Sequence, residues 1–446
     1  MTTTSEDDLK EVQLQETKAD IVKKNENGEE EEDFEEAPWD YVYRVAGFFM
    51  LLFGSYFAMA NQLTSLLGIH GFFILATLNF SFTLACFAGG VAVKKFGQKI
   101  IFILGGIAFN VMILTAAIAV GNNELVWLVY PASFTVGIFG SWMWVAHGGY
   151  IASLYKPARQ GYGFGLFNGL FSINGIIGFG LLLILASVGV DSETILWILF
   201  ALSVVATFSA IFVKDWPIKG KGDKREIEIK TKKEEGDVEK EQSVCIQMLN
   251  VLKMTGDKHM FFQATFALWA GNTEGMYWTT IAAQYKTAQL IAICFLVQSV
   301  VALFASFILG IVSDKYGRFV AMSFCLVMAM TTNICSGLGM DIVESDANRG
   351  TRWGLLITGA FGFGCSDFPG QALLRANYQA MYPTDPRTLS DAMAHLLMIL
   401  MMGTLLATLI GAATHPWVSI IINTVLAFVA LICQFLLPKH VNRKLE

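Results

Sequence analysis

Charge is what this sequence has little of. Asp, Glu, Lys and Arg make up 15% of its 446 residues, against roughly 25% in an ordinary soluble domain. The shortage is uneven: the charges collect at residues 1–40, at 214–258 and in short clusters between long apolar runs. That distribution excludes a soluble globular fold and points to a lipid bilayer as the chain's main partner. No basic surface is present, so nucleic acid is excluded as a partner. The net charge of −6 comes largely from the acidic N-terminal tail and identifies no partner either. Cysteines are few and poorly placed for cross-linking. Six of the seven (Cys86, Cys294, Cys325, Cys335, Cys365 and Cys433) lie in apolar segments, Cys245 lies in a polar loop, and none has zinc-type spacing. Neither a disulfide framework nor a structural metal is expected, and no cofactor is expected. The first 38 residues lack the apolar stretch of a cleavable signal peptide. An enzyme is the weakest reading, because no nucleophile–base pair, phosphate-cradling glycine loop or metal cluster is present.

What the chain does have is apolar length. A helix needs about 20 apolar residues to cross a bilayer, and twelve segments reach that length. They cover 43–66, 71–93, 99–120, 126–154, 162–189 and 194–213, then 260–284, 289–312, 319–340, 353–381, 390–413 and 416–437. The predicted fold is an all-α membrane protein of two six-helix halves, 41–213 and 259–438. The first span reads as an uncleaved signal-anchor. Residues 1–40, with the run Glu29 to Asp33, read as a disordered acidic tail. Residues 214–258 read as a charged linker and 439–446 as a short tail. Near the linker's end, Val244, Met248, Leu249, Val251 and Leu252 share one helical face. This is either a short helix on the membrane surface or an N-terminal extension of the seventh span.

Lys and Arg in short loops set orientation. Lys94, Lys95, Lys99, Lys156, Arg159, Lys315, Arg318 and Arg387, with Lys439, Arg443 and Lys444, all fall on one side of twelve alternating spans. The other side offers Asp191, Glu193, Asp341, Glu344 and Asp346, with Lys286, Arg349 and Arg352 as exceptions. Both termini and the linker are therefore expected on the cytoplasmic side. The last four residues, Arg443 to Glu446, resemble a dibasic endoplasmic-reticulum retrieval signal, although basic cytoplasmic tails are ordinary.

An internal repeat ties the halves together. Gly90, Lys94, Lys95, Phe96 and Gly97 follow the second span, and Gly310, Asp314, Lys315, Tyr316 and Gly317 follow the eighth at the same spacing. Such parallel halves mark one large class of transporters. The stretch from Gly310 to Arg318 resembles the loop motif of the major facilitator superfamily. The resemblance implies that Asp314, Lys315 and Arg318 gate conformation, not bind substrate. The first copy departs from the pattern, with Lys94 at the acidic position.

A narrower resemblance runs through the order of further motifs. Trp144 to Gly149, Ser153 to Pro157, Arg159 to Tyr162, Phe167 to Phe171 and Gly175 to Gly178 resemble the Unc-ninety-three family, with His147 replacing its Gln. Gly271 to Trp278, Gly362 to Asp367, Gln371 and Tyr382-Pro383 extend the likeness. That family includes members that regulate potassium channels or escort membrane receptors. The resemblance therefore implies two functions: a secondary transporter of a small solute or ion, or a regulatory or trafficking subunit with a channel or receptor partner.

Ionisable groups at bilayer depth are the candidate site, since each costs roughly 2.5–3.5 kcal/mol to insert. They are His147, Glu274, Asp367 and Arg375. Asp367, Gln371, Arg375 and Tyr378 share one helical face, and Asn272 and Tyr277 flank Glu274. Together they are expected to line a central cavity, with Glu274 or Asp367 as a coupling carboxylate. The alternative is that Asp367 pairs with Arg375 or His147 to fix packing, and that His147 makes a structural hydrogen bond. Asn110, Asn168 and Asn174 read as helix–helix contacts, and Trp142, Trp144 and Trp278 as rings flanking the cavity.

Overall fold

The computed structural model describes residues 38–155, 160–214, 249, 251–285, 287–343, 345, 347–381 and 386–437. Through them run twelve long helices. The first half holds α1 (Trp39–Leu66), α2 (Ile69–Phe96), α3 (Gln98–Gly121), α4 (Val129–Leu154), α5 (Gln160–Ser187) and α6 (Ser192–Ser209). The second holds α7 (Lys258–Gly275), α8 (Ala288–Tyr316), α9 (Arg318–Asp341), α10 (Arg349–Met381), α11 (Pro386–Ala413) and α12 (Pro416–Phe435). Both tails, most of the 214–258 linker, Cys245, Lys156, Arg159, Lys286, Glu344, Asp346, Tyr382 and Pro383 lie outside the described residues.

Ten of these helices are apolar and long enough to span a bilayer by composition alone. The two others, α7 and α10, carry Glu274, Asp367, Gln371 and Arg375, and those polar residues lower their hydropathy. The outward faces are apolar: Phe208, Ile308, Val327 and Ile421 are more than half exposed without lipid. Such surface suits hydrocarbon and would not stay dispersed in water.

Local chemistry sets several helix starts. Asp257 accepts from the His259 and Met260 amides to begin α7, and Thr287 accepts from Leu290 to begin α8. Asp191 caps α6 through Thr194, whose amide and hydroxyl hold the exposed Asp191 carboxyl below its usual range. The Asp257 cap also decides the question before the seventh span. Residues 251–254 form a separate helical turn, ended at Thr255 and Gly256, and not an extension of α7. On its predicted apolar face Val251 is buried, while Leu249 and Leu252 are exposed and Val244 and Met248 lie outside the described residues.

The halves repeat one packing scheme. Helix α1 packs on α5 and α6, α2 on α4, and α3 on α4 and α6. Six helices later, α7 packs on α11 and α12, α8 on α10, and α9 on α10 and α12. The contacts between halves are paired in the same way: α2 meets α11 as α8 meets α5, and α4 meets α11 as α10 meets α5. A two-fold pseudo-axis along the bundle follows from this arrangement.

The repeated glycine loops are its clearest local trace. Gly97 joins α2 to α3 at φ 77°, ψ 158°, and Gly317 joins α8 to α9 at φ 95°, ψ 150°. Each donates its amide four residues back, to Val93 and Ser313 respectively. This corner of backbone space is essentially glycine's alone. Gly317→Ala is therefore expected to cost about 1–3 kcal/mol and to lower the melting temperature of the purified protein. An unchanged melting curve would mean the turn adapts. The charged positions differ between copies. Lys94 and Lys95 are exposed, whereas Asp314 is half-buried and Arg318 is buried. Lys95 and Lys315 both lie over the next aromatic ring, Phe96 and Tyr316, at 5.6 and 5.3 Å. Gly310 lies against α5, its Cα 3.6 Å from the position a Cβ on Gly165 would take.

Candidate functional site

Glycines bring α7 and α11 to backbone contact. A Cβ on Gly271 would strike the Leu400 carbonyl, and one on Gly403 would strike that of Leu268. Thr404 spans the gap, its hydroxyl donating to the Gly271 carbonyl at 3.1 Å. The pseudo-equivalent contact of α1 and α5 uses Gly54 and Gly178 in the same way. This tight packing holds Glu274 at the inner face of α7. Two residues later the helix loosens into a π turn, Met276–Ile281, and then a 3-10 turn, Ala282–Gln284. In α10, Pro369 lies two residues beyond Asp367 and removes one helical hydrogen bond. Irregular backbone at bilayer depth survives only where it is buried in protein or lines a cavity.

The polar groups join in one chain. Gln371 Nε2 donates to Asp367 Oδ1 at 2.9 Å and to Glu274 Oε2 at 3.3 Å. Gln371 Oε1 accepts from Arg375 at 3.3 Å, and the other guanidinium nitrogen donates to Asn168 Oδ1 at 3.3 Å. The guanidinium also sits 5.2 Å from the Trp144 ring centre, a cation–π contact. All four charged or amide groups of α7 and α10 are buried. Among the described residues no direct ion pair joins Arg375 to either carboxylate, because the Gln371 amide stands between them. Asn168, read from sequence as a packing residue, is recruited here across the interface between the halves. No local signal marked it, since only the approach of α5 to α10 supplies its partner.

A cavity opens beside this chain, lined by residues of both halves. Glu274, Gln371, Arg375 and Asn168 line it, together with Asn61, Asn79, Thr279 and Thr404, and Trp278 and Phe171 are among its rings. Its space for water-sized centres is about 80 Å³, against about 10–15 Å³ for a single water. Several waters or one compact solute fit. Trp278 meets Phe57 edge-on at 4.2 Å, and Phe171 meets Phe368 at 5.3 Å, so aromatic pairs bridge the halves around it.

Other expected members lie elsewhere. Asn272 faces away from the cavity: its Oδ1 accepts from Asn423 at 3.1 Å, and Asn423 in turn accepts from Asn333 at 3.0 Å. A polar residue between packed helices gains more from such a network than from open space. Tyr378 turns toward α11, with its hydroxyl 3.3 Å from His395 Nδ1. His147 is fully buried behind Trp144, 3.9 Å centre-to-centre from Phe167 and 5.1 Å from Phe49. Neither ring nitrogen has a hydrogen-bond partner among the described residues, so the expected structural hydrogen bond and the pairing with Asp367 are both missing. Tyr277 stacks on Phe363 at 4.1 Å. Trp142 donates to the Ala85 carbonyl, and Asn110 meets Thr207 at 3.0 Å across α3 and α6.

Comparison with known proteins adds the following. Residues 41–388 match a family model described as Major Facilitator Superfamily. No curated protein matches the chain. Among solved structures, it is similar to the proton:xylose symporter XylE bound to 6-bromo-6-deoxy-D-glucose. That match has 13% identity, covers 88% of this chain and 95% of that one, and has a TM-score of 0.62. It is also similar to the xylose transporter XylE from E. coli in a partially occluded inward-open conformation, at 13% identity, 88% and 97% coverage and a TM-score of 0.64. At that identity the likeness carries the fold and not the solute.

Proposed function

The chain belongs to the Major Facilitator Superfamily, and on that premise we propose that it is a secondary transporter of a small solute or ion. It works by alternating access, with the two halves rocking about the central cavity. The observation that carries this reading is the Glu274–Gln371–Arg375–Asn168 chain, which crosses from one half to the other beside the cavity. Two carboxylates share one amide donor there, so a proton gained or lost at Glu274 alters the contact between halves. Glu274 is the coupling carboxylate, and Asp367 helps to hold Gln371. At the end of the bundle with the glycine turns, Asp314, Lys315 and Arg318 form the latch that makes and breaks. The lysine bias of Lys94, Lys95 and Lys315 supports placing that end, and both termini, on the cytoplasmic side.

A second reading is favoured by one observation. Lys94 is exposed where its counterpart Asp314 is half-buried, so the first half lacks the acid of a matching latch. A chain with one latch fits an Unc-ninety-three-like regulatory or trafficking subunit of a channel or receptor. The test needs no substrate. Spin labels at Lys95 and Lys315 report one end of the bundle, and labels at Trp127 and Val343 report the other. Transport predicts two distance populations at each end, with one end opening as the other closes. A single fixed distance at both ends, together with a co-purifying channel, would establish the regulatory reading instead.

A further inference from the structure

The cavity's chemistry is one-sided. Glu274 and Arg375 line it, and a second carboxylate, Asp367, lies just outside the lining on the Gln371 amide. The guanidinium is partly engaged: Gln371 and Asn168 each accept one of its N–H groups, and its face lies over Trp144. Glu274 lines the cavity with a single oxygen engaged, Oε2, and among the described residues nothing donates to the other. His147, the remaining titratable group nearby, is set behind the Trp144 ring and does not reach the cavity. An anion entering this space would meet surplus negative charge. A cation would meet Glu274.

The rest of the wall is mainly aromatic. Phe53, Tyr56, Phe57, Phe171, Trp278 and Phe368 face the space. Several polar side chains beside them have committed their donors, whereas Tyr56, Asn79 and the Trp278 indole donate to nothing among the described residues. Asn61 and Asn168 donate to the Phe57 and Phe164 carbonyls, and Thr279 and Thr404 donate to those of Gly275 and Gly271. A polyhydroxyl ligand would set much of its surface against ring carbon, and each hydroxyl left without a partner is costly in a buried site. A cation with an apolar or aromatic body has the opposite needs, because ring faces attract positive charge and rings bury apolar surface. The cavity's small volume limits that body to about one ring.

We infer that the cavity takes a compact organic cation of the arylammonium type, with its charge at Glu274 and its ring among Phe57, Phe171 and Trp278. This rests on the transporter reading for its consequence, transport, but the binding itself does not require it.

The probe is radiolabelled phenyltrimethylammonium, which is permanently charged and does not cross lipid alone. Applied to the purified full chain in nanodiscs, it is expected to bind saturably, to be displaced by 2-phenylethylamine, and to resist displacement by D-xylose or neutral 2-phenylethanol. Glu274→Gln is expected to weaken binding at least thirtyfold, roughly the loss when one partner of a buried charge pair is removed. Glu274→Asp keeps the charge and is expected to retain binding, which separates loss of the site from loss of the fold. No saturable binding, equal binding by Glu274→Gln, or displacement by D-xylose would each overturn the inference. If the probe fails while the spin-label distances still exchange, the transporter reading survives and this one falls. If the probe binds through Glu274 in a bundle that never exchanges, this inference survives and transport falls.

Discussion

Gradient-driven uptake into liposomes is expected to fall to the level of empty vesicles when Glu274 is replaced by glutamine. The glutamine side chain still offers an oxygen to Gln371 Nε2, now 3.3 Å from Glu274 Oε2, so the contact between α7 and α10 persists. What disappears is the ability to hold and release a proton beside the cavity. Exchange of labelled for unlabelled solute with no gradient present needs no net proton movement, so it falls with uptake if Glu274 also holds the solute's charge and survives if the residue only moves the proton. Unimpaired gradient-driven uptake by Glu274→Gln would remove this residue from coupling and pass the role to Asp367. That carboxylate is less well placed, since it does not line the cavity and its Oδ2 is buried without a hydrogen-bond partner among the described residues.

The second large effect is structural. Gly271→Val is expected to leave little folded protein, because its side chain would collide with the Leu400 backbone carbonyl and not with a flexible side chain. Either α7 and α11 separate along their length or one of them shifts register. Overpacking of this kind costs about 3 kcal/mol or more. The Thr404 hydrogen bond to the Gly271 carbonyl would be lost with it, and Glu274, three residues on, would leave its place beside Gln371. Gly47→Ala is the control, since a Cβ there meets nothing within 4 Å. Detergent-extracted Gly271→Val with a wild-type melting temperature and elution profile would show that the two helices can part at no cost.

Gly47 and Gly271 look alike as letters inside apolar runs, and this is the limit of what such a chain discloses by itself. The amino-acid sequence determined the twelve spans, because insertion into lipid depends on local apolar length. It also determined the two-fold repeat, because the φ of Gly97 and Gly317 is a property of one residue each. The polar face of α10 was legible for the same reason: Asp367, Gln371 and Arg375 at intervals of four residues must share a side of any helix. The tertiary structure decided what those groups touch. Asn272 sits two residues from Glu274, yet it is drawn to Asn423 on α12 because the rotation of α7 aims it there. Asn168 carries no mark of its own and becomes a partner of Arg375 only because α5 crosses α10. His147 matched a family position of polar character, and packing enclosed it in phenylalanines. Insertion and helical periodicity act along the chain, so they can be read from it. Partner choice among buried polar groups depends on helix rotation and approach, which are set by glycine contacts between segments more than a hundred residues apart.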